Sequence, residues 1–249
     1  LGNSMPQQQY QQPQQQQPPQ QARAPQNDFD GLMNAPAGED LMQALGGNSQ
    51  QAVYPNSPEA VYKRFLTEDS GIVFEDQNIQ VQLQIQVQRN NALLNFAIQN
   101  KSMGQVSGIK INILPVPFLR CIPRPGPQII QPGQVVSHQF AITVIQPYST
   151  PPNYFVIYSQ PIEVKQQMKL PLVITKFMMP YPMDQNMFFS RWGQFSSPNQ
   201  TAKISYPIVP NVDPVQQMSS VMNNLLRIPV LNLQGIHPLN MVGACIIKL

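Results

Sequence analysis

The chain has 249 residues, 27 prolines, two cysteines, 11% charged residues and a formal net charge of +3, a length for one or two domains. No apolar run reaches bilayer-spanning length and no basic-then-apolar stretch marks a signal segment. Cys121 and Cys245 lie far apart in no ligand pattern, so they read as reduced thiols of a cytosolic protein. The charge is unevenly divided. Residues 1–76 carry three cations and nine acids, a net −6, while residues 77–249 carry twelve cations and three acids (Glu163, Asp184, Asp213), a net +9. A basic folded part attracts acidic partners. Its cations stand singly, without the Lys/Arg runs of nucleic-acid or membrane binders, so acidic peptides fit at least as well.

The chain opens on LGNSM, as expected of a piece of a longer protein, and residues 1–27 form a Gln/Pro tract. Such a tract buries too little apolar surface to offset chain entropy, so disorder is expected. An island follows from Asn27 to Gly47, where Phe29, Leu32, Met33, Leu41, Met42 and Leu45 stand among Asp28, Asp30, Glu39 and Asp40. Two readings are open: a docking peptide centred on Phe29, Asp30, Leu32 and Met33, or a chance cluster. Ser49 to Asn56 is linker, and Pro58 to Thr67 is a short helix or an extended lead-in.

From Gly71 the pattern becomes β. Ile79, Val81, Leu83, Ile85 and Val87 alternate with glutamines, the period of a half-buried strand. Ala92, Leu94, Phe96 and Ile98 repeat it, as do Ile109, Ile111 and Ile113 up to Pro115. A proline loop spans Pro123 to Pro132. Strands are expected at Val136 to Ile145, Tyr154 to Tyr158 and Ile162 to Ile174. Several short strands with turns between them predict an antiparallel sandwich.

After Phe177 the pattern becomes α+β. Pro180 and Pro182 exclude helix just before Asp184, which is placed to cap a helix running from about Gln185 to Gln194. Phe188, Phe189, Trp192 and Phe195 recur at helical spacing. They are either the buried stripe of that helix or an exposed band that grips a ligand, because tryptophan is a frequent anchor at interfaces. A strand near Ile204, a helix from Val215 to Arg227, and strands at Leu231 to Gly235 and Met241 to Leu249 complete the chain. The expected organisation is a disordered hinge over 1–66, a β-sandwich over 67–177 and an α+β platform over 178–249.

The residues do not predict an enzyme. His138 and His237 have no partner at metal-ligand spacing, no glycine-rich phosphate loop or serine elbow occurs, and three acids after residue 76 leave little for acid–base chemistry. No metal and no cofactor are expected.

Five segments together carry a resemblance. Gly71-Ile-Val-Phe-Glu-Asp-Gln77, the strand ending in Phe96 with Asn100-Lys101, Leu170-Pro-Leu-Val-Ile-Thr-Lys-Phe177, Phe188-Phe-Ser-Arg-Trp192 and Asn240-Met-Val-Gly-Ala-Cys-Ile-Ile247 resemble, in order, the hinge and appendage (ear) of alpha-adaptin, the large subunit of the plasma-membrane clathrin adaptor complex. The resemblance covers about residues 71 to 249 and implies an immunoglobulin-like β-sandwich followed by an α+β platform. It implies a module for clathrin-mediated endocytosis whose platform binds Asp-Pro-Phe, Asp-Pro-Trp and Phe-x-Asp-x-Phe peptides of endocytic accessory proteins. Trp192 and Phe189 would wall the pocket, Phe188 would be more buried, and Arg191 would flank the site or face solvent. Implied partners are those accessory proteins, the other adaptor subunits and clathrin through the hinge. The hinge island departs from the usual clathrin-binding box, which has an acid after its last aliphatic. No nucleic acid is implied, and the membrane is met only peripherally, at coated pits. Family residues that hold the peptide's aspartate would follow Leu249, so the platform is expected to be incomplete. At the family's second, sandwich-side site Ala97 and Gln84 replace an aromatic and a lysine, so that site is not expected. Two other classes stay open: a scaffold module for coat subunits or self-association, and an anionic-lipid binder.

Overall fold

The computed structural model describes residues 57–195, 210–211, 213–234 and 240–249. The linear-motif residues Phe29, Asp30, Leu32 and Met33, the strand expected near Ile204, and His237 lie outside the described residues.

The chain enters through helix α1 (Pro58–Arg64), capped by the Ser57 hydroxyl, which accepts from the Ala60 amide at 3.2 Å. Pro58 occupies the first turn, where its missing N–H is not needed. Phe65 follows and is fully buried. The packed part therefore begins ahead of the boundary expected at residue 67, because one large aromatic gives the lead-in an anchor.

Eight strands form two antiparallel sheets. β1 (Ser70–Glu75), β2 (Ile79–Gln88), β3 (Asn91–Asn100), β5 (Leu119–Arg124) and β6 (Val135–Val144) make the larger, in the order β1-β2-β3-β6-β5. β4 (Ser107–Ile113), β7 (Asn153–Ser159) and β8 (Glu163–Lys169) make the smaller, in that order. β2 shows the predicted alternation: Ile79, Val81, Leu83 and Ile85 are buried and the glutamines between them are not. β3 departs from a half-buried strand, since Leu93, Asn95 and Ala97 on its second face are also buried. Ser137 serves Asn95 there by donating to its Oδ1.

The core lies between the sheets. Phe96 of β3 meets Phe140 of β6 edge-on, with centroids 5.7 Å apart, and Tyr154 of β7 at 5.6 Å. These three rings join the two layers. Polar pins close the ends. Asp76 turns β1 into β2 by accepting the Asn78 and Ile79 amides at 2.8 Å, and its second oxygen accepts the Tyr158 hydroxyl from the opposite sheet. Asn100, fully buried, donates to the Gly104 and Ile130 carbonyls and accepts from Ser102. A buried amide with both ends satisfied costs little and fixes the loop geometry.

Two segments differ from their expected form. The proline stretch opens with strand residues, since Pro123 and Arg124 close β5. β5 is an edge strand, where a proline without N–H breaks no ladder bond. The strand expected to reach Ile174 ends at Lys169, and Ile174–Phe177 is a 3₁₀ turn. Pro171 lies just past the strand, and the Tyr148 hydroxyl donates to the Leu172 carbonyl at 2.6 Å instead of a strand neighbour.

The C-terminal part is built from short pieces. β9 (Met179–Pro180) pairs antiparallel with β10 (Cys245–Ile246), and a bridge joins Val230 to Gly243. Among the described residues, the strands expected at Leu231 to Gly235 and along Met241 to Leu249 shrink to these contacts. The second helix, α3 (Pro214–Ser220), is capped by Asp213 and passes into a π turn, Val221–Leu225, rather than running on to Arg227. Gly243 is required by packing. A Cβ there would lie 2.5 Å from Ile228 Cγ2 and 2.7 Å from the Pro229 carbonyl oxygen.

A cluster of charges binds this part to the sandwich. Lys176 is buried, and its Nζ donates to Asp69 Oδ1 at 2.6 Å and to the Glu68 carbonyl at 2.8 Å. Arg227 donates to both oxygens of the same Asp69, at 2.8 and 2.9 Å. Arg227 itself sits at φ 56°, a left-handed conformation costly for a residue with a Cβ. The charge-assisted bonds from its Nη2 to both Asp69 oxygens hold it there.

Candidate functional site

Asp184 begins helix α2 (Gln185–Trp192) by accepting the Met187 amide at 2.8 Å, as its position predicts. The helix ends two residues before the expected Gln194. Gly193 takes the C-terminal cap, and its amide donates to the Phe189 carbonyl at 3.0 Å. Gln185 Oε1 accepts the Gln234 amide at 3.1 Å and holds the helix start against the segment that follows the π turn.

The aromatic band divides between the two readings left open by spacing. Phe188 is buried, 8% exposed, whereas Phe189, Trp192 and Phe195 are 46%, 62% and 49% exposed. Met187 is 39% exposed beside them. Phe188 lies parallel beneath Trp192, with centroids 5.7 Å apart and planes at 18°. It meets Phe189 edge-on at 5.4 Å. One phenyl ring thus roots the helix, and two more rings stand on it with open faces. Arg191 is exposed and places its guanidinium 5.5 Å from the centroid of the Tyr181 ring. The four predicted residues Phe188, Phe189, Arg191 and Trp192 therefore share one helix turn and its flank, with different exposures.

This arrangement offers stacking surface with one adjacent cation. The helix and the turn after it expose three aromatics, apolar area that a partner's ring covers at a gain, because rings stack at centroid distances of about 4.5–7 Å. Among the described residues no group of three or more His, Cys, Asp and Glu side chains is placed to hold a metal. Burial pushes the Cys121 thiol up to about 11 and raises Cys245, which keeps both in the unreactive thiol form near neutral pH. His138 is buried in β6 and hydrogen-bonded to the Pro127 carbonyl at 3.2 Å. Burial lowers its pKa, and the carbonyl contact opposes that only in part.

Sequence reasoning missed the Asp69, Lys176 and Arg227 cluster. Its members are far apart in the chain, and no local pattern connects them. Ala97, in β3, is 2% exposed.

Residues 176–249 match the family described as alpha adaptin AP2, C-terminal domain. Those residues carry the likeness to alpha-adaptins. Over 190 residues the chain is 25% identical to AP-2 complex subunit alpha-2 of Dictyostelium discoideum, covering 75% of this chain and 19% of that protein. AP-2 complex subunit alpha-1 of Arabidopsis thaliana is 25% identical over 131 residues, covering 52% of this chain and 13% of that protein. The chain thus spans less than a fifth of the length of these alpha-adaptins. Among solved structures it is similar to the GAE domain of GGA2p from Saccharomyces cerevisiae, with a TM-score of 0.36 and 12% identity over 42% of this chain and 97% of that one. The alpha-adaptin match begins at Lys176, the buried residue that joins the C-terminal part to Asp69, and it contains all of α2.

Proposed function

We propose that this alpha-adaptin relative is a non-enzymatic adaptor appendage that recruits partner proteins through the exposed rings of α2. The observation that carries the reading is the Trp192 indole, 62% exposed and stacked on a buried phenylalanine. Trp192 and Phe189 would form the wall against which a partner's aromatic side chain packs. Phe188 supports them from below, and Arg191 supplies a cation for an acidic neighbour of that ring. The ligands proposed are short Asp-Pro-Phe, Asp-Pro-Trp and Phe-x-Asp-x-Phe segments of endocytic accessory proteins. The net +9 of residues 77–249 favours such acidic peptides. Repeated motifs on one partner would raise overall binding by about 10²- to 10⁴-fold over a single motif.

In the same reading the folded part divides near Phe177 into a sandwich and a platform, tethered by the segment before it. It works in the cytosol at clathrin-coated pits with other adaptor subunits. Clathrin itself would meet the chain through the hinge, and the membrane is reached only through the complex.

The test is a titration with an Asp-Pro-Phe peptide followed by the fluorescence of the chain's single tryptophan and by calorimetry. Trp192→Ala should weaken binding by about 2 kcal/mol or more, the scale of an interface anchor. Equal affinity for both proteins by calorimetry rejects the role of Trp192.

A further inference from the structure

We infer that the acidic island at residues 27–47 is itself an occupant of the α2 aromatic face, so that the tether competes in cis with outside partners. The inference rests on the preceding reading that this face takes in an aromatic or aliphatic side chain flanked by acids. Three observations support it.

The first is chemical fit. The island carries four acids, Asp28, Asp30, Glu39 and Asp40, and no Lys or Arg. Phe29 stands between two of those acids, and Leu32 and Met33 follow within one helical turn's length. The face offers the complement: Phe189, Trp192 and Phe195 exposed, Met187 beside them and Arg191 on the same helix. The net charges, −4 on the island and +9 on residues 77–249, attract.

The second is reach. Met33 and Ser57 are 24 residues apart, so the intervening chain spans up to about 80 Å and about 27 Å on average for a flexible linker. Lys176 is bonded to Asp69 near the chain's point of entry. From there to Gln185 is at most about 30 Å of backbone. On the other side α1 adds about 10 Å and residues 65–69 up to about 17 Å. The tether is long enough to return to α2 without strain.

The third is concentration. A short flexible tether holds its motif at a local concentration on the order of millimolar. A motif of millimolar affinity is then about half bound in cis. A single outside copy must compete with it, whereas a partner carrying many copies displaces it. The tether would thus set a threshold that favours multivalent ligands.

The test uses the full chain with Phe29, Leu32 and Met33 all replaced by serine. The single indole N–H gives one resonance in a ¹⁵N-correlated NMR spectrum, which reports Trp192 directly. In the triple variant that resonance should move from its wild-type position, and an added Asp-Pro-Phe peptide should bind about two- to tenfold more tightly. Dilution should leave the wild-type resonance in place. An identical resonance and identical peptide affinity in the two proteins overturn the inference while leaving peptide recognition intact. A resonance that differs between the proteins but ignores added peptide supports occupation by the tether and counts against outside Asp-Pro-Phe ligands. A wild-type resonance that moves on dilution points to a second copy as the occupant and also overturns it. An unchanged melting temperature in the variant shows that folding is not the cause.

Discussion

Replacing Asp69 by alanine tests whether the C-terminal part is fastened to the sandwich through one carboxylate. The Lys176 side chain is 0% exposed, and its ammonium has two acceptors, Asp69 Oδ1 and the Glu68 carbonyl. The substitution leaves a buried cation with the carbonyl alone. It also releases Arg227, which is 29% exposed and can recover hydration. Removing one partner of a buried pair costs about 3–5 kcal/mol. The Asp69 side chain is 45% exposed, so solvent already screens part of the attraction and about 3 kcal/mol is expected. For a protein of this size that lowers Tm by about 6–12 °C, measured by scanning calorimetry. Lys176→Met is the control. It removes the buried charge, keeps most of the volume and leaves Asp69 paired with Arg227, so its cost should fall below that of Asp69→Ala. The reasoning fails if Asp69→Ala melts within about 2 °C of the parent, or if the methionine variant is the less stable of the two. The pH dependence has a defined sign. Burial tends to raise the Asp69 carboxyl, but hydrogen bonds from Lys176 and Arg227 outweigh it and hold the group below its ordinary value of 3.8. The folded state therefore binds this proton less readily than the unfolded chain. Its stabilisation is present above about pH 4 and is lost as pH falls through the folded-state value, so the parent and the alanine variant should converge in acid.

Other outcomes follow from the same contacts. Burial depresses His138, so unfolding takes up a proton below its ordinary 6.5. His138→Gln should flatten the stability loss of the parent as pH falls from 6.5 toward the folded-state value, a slope of up to about 1.4 kcal/mol per pH unit, read from denaturant melts. Phe188→Ala should both destabilise the protein and weaken peptide binding, since the ring is buried and supports Trp192. Phe189→Ala, at 46% exposed, should weaken binding with a Tm shift of less than about 2 °C, as surface substitutions rarely exceed about 0.5 kcal/mol. Gly243→Ala should cost about 1–3 kcal/mol, because an added methyl meets the Pro229 carbonyl as well as movable side chains; a neutral result in chemical denaturation would mean that the ladder around Val230 shifts freely.

The sandwich was legible because its strands obey a simple period. β2 reads as alternating aliphatics and glutamines, and those aliphatics are the ones buried. α2 was legible from Asp184 and the prolines before it, which act within a few residues. Spacing could not decide the exposure of its rings, because Phe188 and Trp192 occupy the same row and differ only in what lies across from them. β5 was hidden by Pro123, whose tolerance depends on the strand being at an edge, a property of the assembled sheet. The Asp69 cluster was hidden for a similar reason. Lys176 reads locally as one more surface cation, and only the fold encloses it. The left-handed conformation at Arg227 likewise answers to Asp69, a residue 158 positions away.

Asp69 also has a mechanical consequence. It lies between α1 and β1, just after the N-terminal lead-in, and it grips both Lys176 and Arg227. Tension drawn along the N-terminal segment is therefore shared with the C-terminal lobe instead of being borne by β1 alone. Under load the start of β1 and the C-terminal lobe are drawn together, and the exposed rings of α2 keep a set orientation to the line of pull.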